Sequence, residues 1–505
     1  MNDHPDRGWV QQLLDGIQFG VSIRHTSEWS SVEAPNLPSA YQFPHAVDQD
    51  IEVELKAGRL AGPFTTPPFQ PFRCNPVGVV EKDGGKSYRI IDHLSYPRKG
   101  GSVNSGIQDF SVVYPTISTA AKWMRRYGNA WMSKVDLKSA FRQVAVRQED
   151  YGLLGFKWKD AYYYRRVLPF GSRSSPAIFA SYAEAIAWIG KKVCGKGHII
   201  AYLDDFLLIA KGKEECEEMV QRFRRLLNEL GVEENVPKHI PPSQVVIYLG
   251  IELDAVKMEA RLDKNRLSEL KSLIKEWSGK SSATKLQLQS LIGKFSFASR
   301  CVQQSRLYLR RLIDLIPRAR RQSDHIHIGL QAKKDIEWWN SFISDWNGVS
   351  LLPAGEWHMV GVRSDASGWG CGAIYGTKWI QKCWSAEERK LPMPVLEMMA
   401  VVFAILTWAR ELRGMRVCLE SDCLPSVLAF NNLCSKSAAL MDVVRVAHYV
   451  ATKHDCAIRL RHVDGLDNQI ADSISRNKMA IFKKLAPYAR RWPQAVPPWP
   501  IQSWL

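Results

Sequence analysis

The sequence predicts a multidomain protein of mixed α/β and α+β class. Three observations carry that expectation. At 505 residues the chain exceeds what a single hydrophobic core accommodates. Short apolar runs of strand character are interspersed with longer stretches of helical periodicity. Carboxylates recur at the ends of such runs in two separate regions, first Asp136, Asp204 and Asp205, then Asp365, Glu397, Asp422 and Asp472.

Composition narrows the class further. With 46% hydrophobic and 24% charged residues, the chain reads as soluble and globular, which excludes long disordered tracts. Lys and Arg number 68 against 51 Asp and Glu, and the resulting +17 points to a polyanionic partner, nucleic acid first, with a generic solubility charge as the alternative. Ten cysteines without a CxxC pair read as reduced thiols in an intracellular protein, with no structural disulfide expected. The polar start of the chain and the lack of any run of about 18 apolar residues predict no export signal and no membrane span.

Taken in order, residues 1–40 carry no assignable chemistry, and Pro35, Pro38 and Pro44 are expected to interrupt regular structure there. Residues 51–61 read as a short amphipathic helix stopped by Gly62-Pro63. The runs 77–81 and 88–92 flank a basic, glycine-containing turn and predict a hairpin. Its Lys82, Lys86 and Arg89 are either a solvated turn or phosphate ligands, depending on the carboxylates downstream. Asp136 lies in the strand-like run 130–137, and Phe141 follows as either a core aromatic or a ring beneath an incoming sugar. Residues 168–179 pass from a turn into a helix. There Phe170 precedes Gly171, Gly171 and the serines permit close backbone approach to a ligand, and Arg173 adds a charge at the helix entry.

The stretch 197–211, GHIIAYLDDFLLIAK, places Asp204 and Asp205 at the tip of a hairpin between two buried strands. An Asp pair there serves either the turn or a cation site. If the run ending at Asp136 neighbours this hairpin, three carboxylates converge, and they repel one another unless divalent cations lie between them. Residues 214–230 then form an amphipathic helix with Met219, Phe223, Leu226, Leu227 and Leu230 on its core face.

VDLKSAF (135–141), LPFGSRSSPAIF (168–179), YLDD (202–205) and YLGIEL (248–253) stand in the order and spacing of a reverse transcriptase, and the chain resembles the right-hand polymerase of that family. The resemblance implies two magnesium ions (manganese as an alternative) on Asp136 and Asp204, supported by Asp205. It implies Tyr248, Leu249 and Gly250 at the primer end, Lys82 and Arg89 on the triphosphate, and Phe141 as the gate against a ribose 2′-hydroxyl. Phe170 replaces the glutamine common in retroviral enzymes and is closer to retrotransposon ones, which bears on nucleotide contacts rather than on the reaction. The helices expected at 262–277 and 285–316 fit the thumb and connection. Seven arginines between 300 and 321, against the single acid Asp314, are expected to track a phosphate backbone, with Arg300, Arg306, Arg310 and Arg311 chosen as primer and template contacts.

Beyond Trp338, Trp339 and Trp346 a boundary is expected near Pro353. Asp365, Glu397, Asp422 and Asp472, each near an element end, suggest a second two-metal site. Their order, with His462 ten residues before the last, resembles the ribonuclease H family, which implies two further magnesium ions and cleavage of the RNA strand of an RNA-DNA hybrid, with His462 assisting proton transfer or product release. The expected divisions are an N-terminal extension (1–40), fingers and palm (41–255), thumb and connection (256–352), the ribonuclease H domain (353–477) and a basic tail (478–505) whose Trp492, Trp499 and Trp504 either track nucleic acid or fold back on the last domain. Segments 61–69, 90–97 and 338–348 resemble DIRS-type elements, with gypsy-type elements as runner-up. The implied partners are an RNA template, a DNA or RNA primer, the RNA-DNA hybrid, deoxynucleoside triphosphates and other retrotransposon proteins. Two function classes stand open: an active RNA-directed DNA polymerase with ribonuclease H, or a non-catalytic nucleic-acid-binding subunit derived from one. Seven acids in two groups favour the first, since unneutralised carboxylates only weaken a groove for phosphates.

Overall fold

The computed structural model describes residues 3–82, 87–98, 100–302, 304–345, 347–351, 356–454 and 456–500. The turn of the 77–92 hairpin, including Lys86, lies outside the described residues, as do Trp346, Pro353 and Trp504. The chain forms two compact units, Met1–Glu259 and Ala260–Leu505. Among the described residues no helix is long and apolar enough to cross a membrane.

The first unit is organised around a four-stranded sheet in the order Ile240–Ser243, Trp131–Asp136, Asp205–Ala210, His198–Tyr202. Phe206 through Ala210 have no exposed surface, because helices Ser175–Cys194 and Lys213–Glu229 bring Ile178, Phe179, Met219 and Phe223 against Phe206 and Leu208. Burying a side chain of this size stabilises the fold by roughly 1.5–3 kcal/mol. Leu230 departs from the expected core face and is 45% exposed. It caps the helix after Glu229, past the last turn that rests on the sheet.

The 77–92 hairpin forms as expected, Val77–Lys82 against Ser87–Asp92. The helix expected at 51–61 is displaced: it spans Pro44–Lys56, and Leu60–Phe64 is a strand of a separate five-stranded sheet. Pro38 and Pro44 start helices rather than interrupting them, since the first turn has no use for the missing N–H.

In the second unit, helix Lys264–Ser278 is followed by Lys285–Ala298, opened by a capping box between Thr284 and Gln287. The single helix expected over 285–316 is broken after Ala298: Gln304 adopts a left-handed conformation at φ 56°, and only short turns follow, Ser305–Tyr308, Arg310–Ile313 and Ile316–Arg318. Helix Leu330–Phe342 seals this layer, Trp338 stacking on Tyr308 at 4.1 Å and Trp339 on Phe295 at 4.4 Å. Asp335 of that helix is wholly buried and held by Arg311 at 3.1 Å. Arg311 also reaches Asp442 at 2.6 Å, and Asp442 in turn binds Arg445 at 2.8 Å.

A five-stranded sheet completes the unit in the order Lys378–Cys383, Gly370–Tyr375, His358–Ala366, Arg416–Ser421, Ala457–His462, antiparallel over the first three strands and parallel over the last three. Helix Met393–Trp408 is apolar on nearly every side because it lies between this sheet and helix Ala438–Lys453. Of the two expectations for the tail, folding back is observed. The Gln494 side chain accepts from Trp408 Nε1 at 2.7 Å, its N–H donates to the Trp379 carbonyl at 2.8 Å, and Trp499 meets Phe403 at 5.4 Å.

Candidate active sites

Strand register creates the first site. Asp205 lies directly opposite Asp136 in the antiparallel pair, and Asp204 occupies the two-residue turn that returns the chain from Tyr202. Leu203, the other turn residue, is held at φ 52°, a conformation costly for a branched side chain and therefore fixed by its surroundings. One such restraint is the Leu137 N–H, which donates to the Asp204 carbonyl at 2.9 Å. The three acids thus share one sheet edge.

Two lysines meet them. Lys134 Nζ is 2.9 Å from Asp205, and Lys238 Nζ is 3.1 Å from Asp136, which also accepts from Asn235 Nδ2 at 3.0 Å. Sequence reasoning missed all three partners. Lys134 was within reach of it, being two residues before Asp136 and so on the same strand face; Lys238 and Asn235 arrive from a separate turn. Burial raises the Asp204 carboxyl above its usual range, and the Asp136 charge adds to the effect. Burial likewise raises Asp205, opposed by the bond to Lys134.

Beside Asp204 opens a cavity of about 390 Å³ lined by Lys82, Arg89, Phe141, Phe170 and Lys238. Four of the six expected nucleotide contacts therefore share one hollow. Phe141 is half-buried, 5.3 Å from Phe170 and 5.6 Å from Phe179, and the Arg89 guanidinium lies 5.3 Å over the Phe170 ring. Gly171 and Arg173 do not line it. Gly171, at φ 111°, is required for chain packing instead, since a Cβ there would stand 2.2 Å from the Asp92 carbonyl oxygen. Arg173 is ion-paired with Asp109. Leu249 and Gly250, both at positive φ, form the tight turn between Val245–Tyr248 and Ile251–Asp254. Tyr248 itself is buried, its hydroxyl without a hydrogen-bond partner, so only the turn is open to a ligand.

The second site lies in the other unit. Asp365 is on the central strand, Glu397 one turn into the buried helix, and Asp422 just past the neighbouring parallel strand; one ligand oxygen from each falls within 4.8 Å of the others. Burial raises the Glu397 carboxyl, and the charges of Asp365 and Asp422 raise it further. Its carboxylate accepts from the Ala366 N–H at 3.0 Å. Burial also raises Asp365, partly offset by a short hydrogen bond from Ser475, a residue missed at the sequence level. Three hard oxygens, those of Asp365 and Glu397 buried and that of Asp422 half-buried, with so little neutralisation suit a divalent cation. Asp472 is not gathered with them: it is ion-paired with Arg476 one turn along its own helix, although its charge still acts on Asp365. His462 is exposed and directs Nε2 to the Asp422 backbone carbonyl at 3.1 Å.

Among the arginines chosen for nucleic acid, Arg300, Arg306 and Arg310 are exposed, Arg310 bonded to Asp314 at 2.8 Å. Arg311 must be reassigned, because its guanidinium neutralises buried Asp335 and is only 11% exposed.

The architecture is that of a mixed α/β multidomain chain built like foamy viral protease-reverse transcriptases. It superposes on such a structure in complex with an RNA/DNA hybrid with a TM-score of 0.54 at 16% identity, covering 91% of this chain and 61% of that one, and on one in complex with dsDNA at 0.51 and 17%, covering 92% and 95%. Residues 81–253 match the family described as reverse transcriptase (RNA-dependent DNA polymerase). That segment is therefore a reverse transcriptase-family domain, related to retrotransposon and retroviral polyproteins. The Gag-Pol polyprotein of Koala retrovirus is 26% identical over 260 residues, and the Transposon Tf2-3 polyprotein of Schizosaccharomyces pombe 24% over 202. These matches cover 49% and 40% of this chain and 14% of each relative, so the chain spans a small part of the length of the curated relatives it matches.

Proposed function

We propose that the chain is the RNA-directed DNA polymerase of a retrotransposon, most like DIRS-type elements, extending a DNA or RNA primer on an RNA template and degrading the RNA of the resulting hybrid. The observation that carries the reading is the pairing of Asp205 against Asp136, with Asp204 in the adjoining turn at the mouth of a cationic, aromatic cavity. Lys82 and Arg89 would hold the triphosphate, and Phe141, which has no group to satisfy a 2′-hydroxyl, would select deoxynucleotides. Asp136 and Asp204 would hold two magnesium ions with Asp205 in support, and such ions supply activation of the primer 3′-hydroxyl and stabilisation of the leaving pyrophosphate. Positioning by the sheet edge contributes much of the remaining acceleration.

The triad Asp365, Glu397 and Asp422 supports hydrolysis of an RNA strand at a second, separate pair of ions, with Asp472 joining once it leaves Arg476 and His462 assisting proton transfer or product release. A non-catalytic, nucleic-acid-binding role has one observation in its favour: Lys134 and Lys238 already neutralise two of the three polymerase carboxylates. An annealed RNA template and DNA primer, with deoxynucleotides and magnesium, separates the readings when both strands are followed on a gel. Asp204→Asn should abolish extension and spare hybrid cleavage, and Asp422→Asn the reverse. Wild-type protein that binds the hybrid without extending or cleaving it would leave the binding role.

A further inference from the structure

A second basic surface lies in the first unit, away from the carboxylate edge. Helix Ile117–Tyr127, started by a capping box between Thr116 and Thr119, presents Lys122, Trp123 and Arg126. The last turn of Ser175–Cys194 adds Lys191. Arg126, Lys122 and Lys191 place their charges 5.0, 5.9 and 5.9 Å from the Trp123 ring centre. The indole is stacked at 3.6 Å on His198, the first residue of the edge strand His198–Tyr202. Asp204 follows the far end of that strand, roughly 13 Å away at the rise of an extended chain.

All three cations are exposed, and among the described residues none pairs with a carboxylate; Glu215 is near enough to act on Tyr127 but bonds to none of them. Gathering three like charges is unfavourable, and one ring, at roughly 0.5–1 kcal/mol per cation–π contact, does little to offset it. An anion would. Burial, together with these three charges, holds His198 down to about 4, so it is neutral and serves as a platform that fixes the indole. With one face covered by His198 and cations over the ring, Trp123 has no open face for a base to stack on.

We infer that Lys122, Arg126 and Lys191 bind the phosphodiester backbone of a nucleic-acid strand that extends beyond the catalytic groove. Lys122 and Arg126 are one helical turn apart, about 6 Å along the axis, which is close to the separation of successive phosphates on a single strand. Recognition is of charge and so independent of base sequence.

The inference shares with the proposed function only that nucleic acid is the ligand. Its test uses the full chain and the triple variant Lys122→Gln/Arg126→Gln/Lys191→Gln, with melting temperature as the folding control. Binding of a 12-base-pair duplex and of the same duplex with a 30-nucleotide single-stranded extension is titrated against salt without magnesium. The variant should bind the extended ligand at least tenfold more weakly at low salt, with the slope of log K against log salt reduced by about 2, near 0.7 per lost single-strand phosphate contact. The short duplex should bind as before. Lys122→Arg with Lys191→Arg should retain the wild-type slope. Equal slopes for wild type and triple variant on the extended ligand would overturn the inference and leave the surface to an acidic protein. Failure of wild-type protein to bind either ligand would instead count against the proposed function.

Discussion

Arg310 and Arg311 are adjacent in sequence and opposite in circumstance. Arg311→Ala removes a guanidinium that is 11% exposed and lies 3.1 Å from Asp335, whose side chain has no exposure at all. Burial already lifts the Asp335 carboxyl to about 6 against the opposing charges of Arg445 and Arg311, so losing one of them leaves a buried acid poorly compensated. Removing one partner of a buried pair costs about 3–5 kcal/mol. For a unit of this size that corresponds to a fall in melting temperature of roughly 6–20 °C. Arg310→Ala loses only an exposed contact to Asp314, worth about 0.3–0.5 kcal/mol. Calorimetry of both variants, with salt titrations of hybrid binding, separates the roles: Arg311→Ala should lower the melting temperature and keep the salt slope, whereas Arg310→Ala should keep the melting temperature and lower the slope. An Arg311→Ala protein with wild-type stability and a weakened slope would refute the assignment.

Phe141→Ala should open the cavity beside Asp204 to a 2′-hydroxyl, reducing discrimination against ribonucleotides by up to about 100-fold in single-turnover incorporation; unchanged selectivity would remove Phe141 as the gate. Gly171→Ala should destabilise the first unit by about 1–3 kcal/mol in urea unfolding, because the new Cβ meets the Asp92 carbonyl and the backbone is at φ 111°. Glu397 has a raised folded pKa, so its contribution is greatest below its ordinary value of 4.5 and is lost as pH rises toward the folded one. In chelator the melting temperature of the second unit should therefore fall between pH 5 and 8.5, and Glu397→Gln or added magnesium should flatten that fall. A pH-independent melting temperature for chelated wild-type protein would argue against a strained acid there.

What could be read from the sequence was whatever has a local pattern. Short apolar runs located Trp131–Asp136 and the Asp204 hairpin, because these strands lie in a buried sheet, and helical spacing located Lys213–Glu229, because that helix buries one face against a neighbour. The meeting of Asp205 with Asp136 was expected only conditionally, since register belongs to two strands at once. Lys238 and Asn235 were invisible because nothing local ties a turn near residue 236 to Asp136. Periodicity also overran the helix after Lys285: the apolar spacing continues past Ala298, but the left-handed Gln304 redirects the chain. Asp472 and Arg476 stand four apart, and that local pairing removes Asp472 from the three acids it was expected to join.

The segment after residue 485 sets how the second unit can be cut and expressed. A fragment ended at Asn477, where the last acid-bearing helix has finished, would strip the cover from Trp379, Phe403 and Trp408 and expose three large aromatic side chains together. Soluble versions need to run at least to Trp499, and purification tags are better placed at the amino end.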